Sequence, residues 1–250
     1  MKNKTLIIIG VAVFFAGLLI QAPARLVTLF LPADSISMSG VSGSLWNGSA
    51  ERINVDGFLL NRTSWNLHVL SLLTGRAAAD VATSWSNSEI SGYVSASAGG
   101  SLNVSELEGF IDLNTLRGAM DFPVGGMARI SVEELAVSDN WPEALVADIE
   151  VRDLTFPDPI NRRNIAVGNF SLSFAAPDIN ADDIVEGLLT DAGGPLELNG
   201  KVLLTPPNSY SMNADVKARP EASKDLSDGL RMMAPANARG YHEFALSSSF

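Results

Sequence analysis

Residues 147–154 read Ala-Asp-Ile-Glu-Val-Arg-Asp-Leu, and their alternation decides the fold. In an extended chain, Ala147, Ile149 and Val151 fall on one side and Asp148, Glu150 and Arg152 on the other, because successive side chains in a strand point to opposite faces. A strand that is apolar on one side and charged on the other belongs to an antiparallel sheet with one packed and one wet face.

The same period of two recurs on both sides of this stretch. Ser35–Ser39, Arg52–Asp56, Trp65–Val69, Tyr93–Ser97, Leu102–Val104, Phe110–Leu113 and Ala128–Val132 precede it, and Ile165–Phe174, Leu196–Leu204, Tyr210–Ala218 and Tyr241–Leu246 follow it. Gly, Asn, Asp, Ser and Pro separate these segments, the punctuation expected of short strands and tight turns. Asn47-Gly48 and Asn199-Gly200 are read as hairpin turns, since both central residues of a type I′ turn need positive φ. Helices are few. Ser71–Thr74 is expected to form one turn closed by Gly75. Asn180 is expected to cap a short helix over Ala181–Leu189. Leu226, Leu230 and Met233 recur at helical spacing, which predicts an amphipathic helix over Ser223–Met233 lying on the sheet. A soft boundary is expected near Trp141–Pro142.

The start of the chain breaks this pattern. Thr5–Ile20 (TLIIIGVAVFFAGLLI) is uncharged and apolar, with Lys2 and Lys4 before it. Continued through Ala24 as a helix, it spans about 30 Å, the thickness of a bilayer's hydrocarbon core. The lysines then stay in the cytoplasm and the rest is carried across the membrane. Ala22-Pro23-Ala24 also resembles a signal-peptidase site. The apolar run exceeds the usual 7–15 residues of a cleaved signal, however, so a retained anchor is preferred. The expected division is a cytoplasmic tip and anchor over 1–24 and an exported β-rich part over 25–250.

Composition narrows the function. The chain has no Cys, which removes disulfides, thiolate metal sites and cysteine nucleophiles. Its formal net charge of −11 and its lack of a Lys/Arg cluster argue against nucleic acid as a partner. His68 and His242 are the two histidines, each alone in an alternating segment, and they are read as strand-face polar residues. Asp178–Asp182 begins like a calcium loop but has Asp183 where that loop needs Gly and Leu189 where it needs Glu. Gly40–Ser44 does not frame its Ser as a nucleophile elbow does. Asp139, Glu143, Asp148 and Glu150 are read as a solvated face. No catalytic residue, cofactor or metal site is expected. Trp46, Trp65, Trp85 and Trp141 are expected to anchor the core, each with a partner for its indole N–H.

Several blocks together resemble a known family. They are Pro23-Ala24-Arg25-Leu26, Val41-Ser42-Gly43-Ser44-Leu45-Trp46-Asn47-Gly48-Ser49-Ala50, Trp65-Asn66-Leu67 with Leu72-Leu73-Thr74-Gly75-Arg76, Gly194-Pro195-Leu196 and Gly240-Tyr241. These are similar to the type II secretion system protein N family, most specifically in the Gly43–Gly48 block. The resemblance implies a single-span inner-membrane protein of Gram-negative bacteria with a periplasmic domain. It also implies a non-catalytic role among other secretion components in exporting folded proteins through the outer membrane. Gly43, Leu45, Trp46, Gly48 and Trp65 are the residues singled out as core anchors or partner contacts. The alternative is a periplasmic module that binds or transfers lipid in an apolar groove of the sheet. The expected fold is mainly β: an N-terminal transmembrane helix, then a curved antiparallel sheet or two packed sheets with one or two short helices. Because the chain closes at Phe250, the last strand is expected to be shortened.

Overall fold

Alternating segments of this kind can bury one face only by pairing with one another, and they do so throughout. The computed structural model describes residues 21–29, 36–55, 58–116, 124–157 and 163–249. It divides into two compact units, residues 1–85 and 86–250. The anchor expected over 5–20 lies outside the described residues; among the described residues no helix is long and apolar enough to cross a membrane.

The first unit opens with a 3-10 turn, Ala24–Leu29. Strands β1 (Ile36–Ser39), β2 (Ser42–Gly43), β3 (Asn47–Val55) and β4 (Phe58–Leu67) follow, then a one-turn helix α1 (Val69–Leu72) and β5 (Arg76–Trp85). They lie in the order β1-β3-β4-β5, all antiparallel, with β2 beside β3.

The second unit contains β6 (Ser88–Ser97), β7 (Leu102–Asp112), β8 (Gly125–Ser138), β9 (Trp141–Pro157) and β10 (Asn164–Ala176). These are followed by β11 (Val185–Asp191), β12 (Leu196–Thr205), β13 (Ser209–Ala218), helix α2 (Lys224–Met233) and β14 (His242–Ser249). From β7 onward each of these strands pairs antiparallel with the one before it, in an uninterrupted meander within this unit. The antiparallel, mainly β reading therefore holds, with few and short helices.

The 147–154 alternation sets the two faces of this meander. Val151 stands opposite Phe170, Leu198 opposite Val216, and Ala214 opposite Phe244, building one apolar face. On the other face Arg129 stands opposite Glu150, and Asn199 opposite Asp215. The densest packing joins Val167, Phe170, Leu196, Ala214, Val216 and Leu230, so α2 lies on the apolar face as its spacing predicts.

Several expectations need correction. Residues 181–189 are not a helix: a turn leads into β11, which pairs with both β10 and β12. Val185 and Gly187 are buried while Glu186 and Leu188 are exposed, a strand pattern, and Gly at mid-segment is a poor helix former. Gly187 is also needed for packing, because a Cβ there would lie 2.5 Å from the Phe174 ring. Asn199-Gly200 is not a turn but the middle of β12, with Gly200 opposite Ala214. Asn47-Gly48 ends a loop of four residues, Ser44–Asn47, since Gly43 already pairs with Gly48. The alanine-rich β5 was not foreseen as a strand. Nor is β14 shortened: it pairs with β13 from His242 to Ser249. Trp141–Pro142 opens β9 immediately after a two-residue turn from β8. The expected helical turn is present but two residues earlier than Ser71–Thr74, at Val69–Leu72, and a turn then carries the chain to Gly75 at φ +75°.

Candidate functional site

The residues singled out from the sequence converge in the first unit. Gly43, at φ +86°, lets the chain turn into the Ser44–Asn47 loop, and the Ser44 Oγ accepts the Asn47 N–H at 3.0 Å. Gly48 faces Trp65 across β3 and β4. A Cβ on Gly48 would sit 2.4 Å from the indole, so the ring lies directly over the glycine. The Trp65 indole N–H donates to the Leu45 carbonyl at 3.0 Å, and the Leu67 N–H donates to the Trp46 carbonyl at 2.6 Å. The Leu45 N–H donates in turn to the Ala22 carbonyl at 2.7 Å. Ala22 and Ala24 are 7% and 1% exposed. The Gly43–Gly48 block therefore fastens the stretch that follows the apolar run to the sheet. Leu45, Trp46 and Trp65 are half-buried rather than central to a core.

A second feature lies on the apolar face of the second unit. A groove of about 930 Å³ runs beside α2. Its floor includes Val151, Phe170, Leu189, Leu198 and Met212, and its wall includes Leu226, Leu230 and Met233; among the described residues Asp225 is the one charged residue lining it. Sites for small ligands commonly occupy 300–1,000 Å³ and are mostly apolar with a few polar groups. This one is almost wholly apolar. The sequence showed the face and the helix. It did not show that one short helix covers only part of so long a face.

A polar knot fixes one end of the groove. Asp191, at the end of β11, accepts from Arg219 Nη2 at 2.6 Å, from the Gly193 N–H at 3.2 Å and from the Leu198 N–H at 3.2 Å. Arg219 Nη1 also donates to the Gly194 carbonyl at 2.7 Å and the Leu196 carbonyl at 3.2 Å. Burial alone would raise the Asp191 carboxyl, but the Arg219 hydrogen bond and the two amides outweigh it and hold it below the usual carboxylate range. The Asp191 hydrogen bond raises Arg219 in return. The turn 192–194 folds onto a bulge in β10: a Cβ on Gly194 would lie 2.7 Å from the Gly168 Cα, and the Asn169 N–H donates to the Gly193 carbonyl at 2.9 Å.

The candidate chemical groups are dispersed. His68 Nε2 lies 2.7 Å from Asp80 on an exposed surface. His242 is buried, and its Nδ1 lies 2.6 Å from the Ala234 carbonyl; a carbonyl can only accept, so Nδ1 carries the proton. Asp139 belongs to the β8–β9 turn, Asp148 accepts the Ser173 hydroxyl, and Glu150 pairs with Arg152 at 3.1 Å. Asn180 donates its N–H and Nδ2 to Asp183, each at 2.8 Å, closing a turn. The backbone N–H is the larger influence lowering the Asp183 carboxyl. Glu197 accepts the Tyr241 hydroxyl at 2.7 Å, and that bond raises the phenol. Among the described residues no three His, Cys, Asp or Glu side chains are grouped to hold a metal ion. The expectation of a partner for every indole fails at Trp141, whose buried N–H has none.

Comparison with known proteins gives a consistent result. The family model described as type II secretion system (T2SS), protein N matches residues 34–245. A type II secretion system protein N of Aeromonas hydrophila is 24% identical over 251 residues, covering 96% of each chain. One of Vibrio cholerae is 30% identical over 70 residues, 28% of each chain. No solved structure matches.

Proposed function

Since the chain belongs to the type II secretion system protein N family, we propose that it is a non-catalytic inner-membrane component of a type II secretion apparatus. In this reading residues 5–20 form the single span, residues 1–24 the cytoplasmic tip and anchor, and the β-rich part from 25 onward works in the periplasm. It acts there by contact with other secretion components in the export of folded proteins. The family match across nearly all of the strands carries this reading, and the dispersed polar groups agree with it. Affinity purification of the tagged full chain in mild detergent is expected to recover secretion-system proteins, and deletion is expected to lower export of a folded substrate. Recovery of none, with normal export in the deletion strain, would overturn it.

The corner formed by Gly43, Leu45, Trp46, Gly48 and Trp65 serves in this reading as the fastening of the anchor or as a contact for partners. A thermal melt of Trp46→Ala separates the two roles: a lowered Tm marks a fastening, and a normal Tm with lost recovery of partners marks a contact.

The groove beside α2 supports a second reading, a module that holds lipid. Native mass spectrometry of the full chain released from detergent is expected to show adducts of phospholipid mass under this reading. Their absence after incubation with phospholipid would overturn it.

A further inference from the structure

We infer that α1 of the first unit is a second membrane contact, inserting its apolar side chains into the bilayer surface beside the single span; this rests on the anchor reading above. Leu70 and Leu73 are 79% and 83% exposed, and Val69 and Leu72 are 48% and 41% exposed. Four large apolar exposures within a segment of five residues are unusual on a water-facing surface. The interleaved polar groups are already satisfied within the segment. The Ser71 hydroxyl donates to the His68 carbonyl at 2.6 Å and the Thr74 hydroxyl to the Ser71 carbonyl at 2.7 Å. The N–H groups of Ser71, Leu73, Thr74 and Gly75 each find a carbonyl three residues back. A segment whose large exposed side chains are all apolar and whose hydroxyls are bonded internally suits the lipid interface, with the polar His68–Asp80 pair at its start left toward the headgroups.

Position and charge favour the bilayer over a protein partner. The chain leaving residue 20 enters the fold at Ala22, which is bonded to Leu45; the adjacent Trp46 is bonded to Leu67. Helix α1 starts two residues after Leu67, at Val69. The chain following the apolar run and the exposed helix therefore meet at the same end of β4. Arg25, three residues past Ala22, and Arg76, which opens β5 just after α1, are both exposed and complement anionic headgroups, while the Asp80 carboxylate is taken up by His68. Four side chains also fall far short of the roughly 20–30 residues per side of a stable protein interface. Leucines entering the acyl boundary need no matching shape.

The chain has no Cys, so single labels are clean. The full chain bearing Leu70→Cys, Leu73→Cys or, as a control in β14, Ser247→Cys would be labelled with a fluorophore and reconstituted. The vesicles would contain phosphatidylcholine and phosphatidylglycerol, with a nitroxide quencher on the acyl chains. Labels at 70 and 73 are expected to be quenched several-fold more than the label at 247. Arg25→Gln with Arg76→Gln should reduce that quenching in the anionic vesicles. If labels at 70 and 73 respond to aqueous iodide as the control does, or are shielded from both quenchers as under a second copy, the proposal is overturned while the anchor stands. If the chain fails to float with the vesicles, the anchor and this contact fall together.

Discussion

At the scale of single residues, the fit of Trp65 over Gly48 is the most sensitive contact described. A methyl on Gly48 would meet the indole at 2.4 Å and the Ser44 carbonyl at 2.8 Å. Gly48→Ala must therefore displace the ring, and a loss of about 1–3 kcal/mol in urea unfolding is expected. Trp65→Phe keeps most of the ring but leaves the Leu45 carbonyl without its donor, so a loss of about 1 kcal/mol is expected in the same measurement. Asp191 supplies a pH test. Its folded-state pKa lies below the unfolded value, so its contribution is present above about pH 4 and is lost as pH falls through the depressed folded value. In Asp191→Asn that part of the acid dependence should disappear, and the urea midpoint near neutrality should fall as Arg219 loses its charged partner. Trp65 and Gly48 each stood out in the sequence. Their contact did not, because it depends on a register that pairs residues seventeen apart, and no local pattern encodes that.

At the scale of elements, the strands were legible wherever one face is apolar and the other polar, as in β9 and β13. Legibility failed where small residues blur the alternation. β5 carries Ala77, Ala78 and Ala79, and β11 hides a strand behind acidic residues that resemble a helix start. The β8–β9 turn was missed for another reason. Asp139 and Asn140 adopt φ +50° and +63°, the conformation of a type I′ turn, which Asn and Asp tolerate but Gly prefers. Asn140→Gly is therefore expected to raise the unfolding free energy in a thermal melt by about 0.5 kcal/mol or less. A run of the same melts on Asp139→Val should show a loss, since a β-branched residue resists positive φ. Helix α2 was legible because Leu226, Leu230 and Met233 recur at helical spacing; the structure adds its cap, the Ser223 side chain accepting the Leu226 N–H at 3.2 Å. Ser223→Ala should cost about 1 kcal/mol.

At the scale of the molecule, the second unit has one apolar face that α2 covers only in part. If the groove holds alkyl chains, a charge in its floor should expel them. Met212→Glu is expected to abolish lipid adducts in native mass spectrometry while the far-ultraviolet spectrum stays that of a β protein. The apolar face could be inferred from alternation alone, but the groove is a matter of how far one helix reaches. The described strands also have an order with consequences for assembly. Within the second unit, every strand from β7 to β14 bonds to the one made just before it. A polypeptide threaded through a translocation channel from its N-terminus could close these hairpins as each emerges, because no later strand has to slot between two earlier ones. Contacts between chain neighbours close quickly, so such a protein would be exposed half-made on the far side of the membrane for little longer than its passage takes.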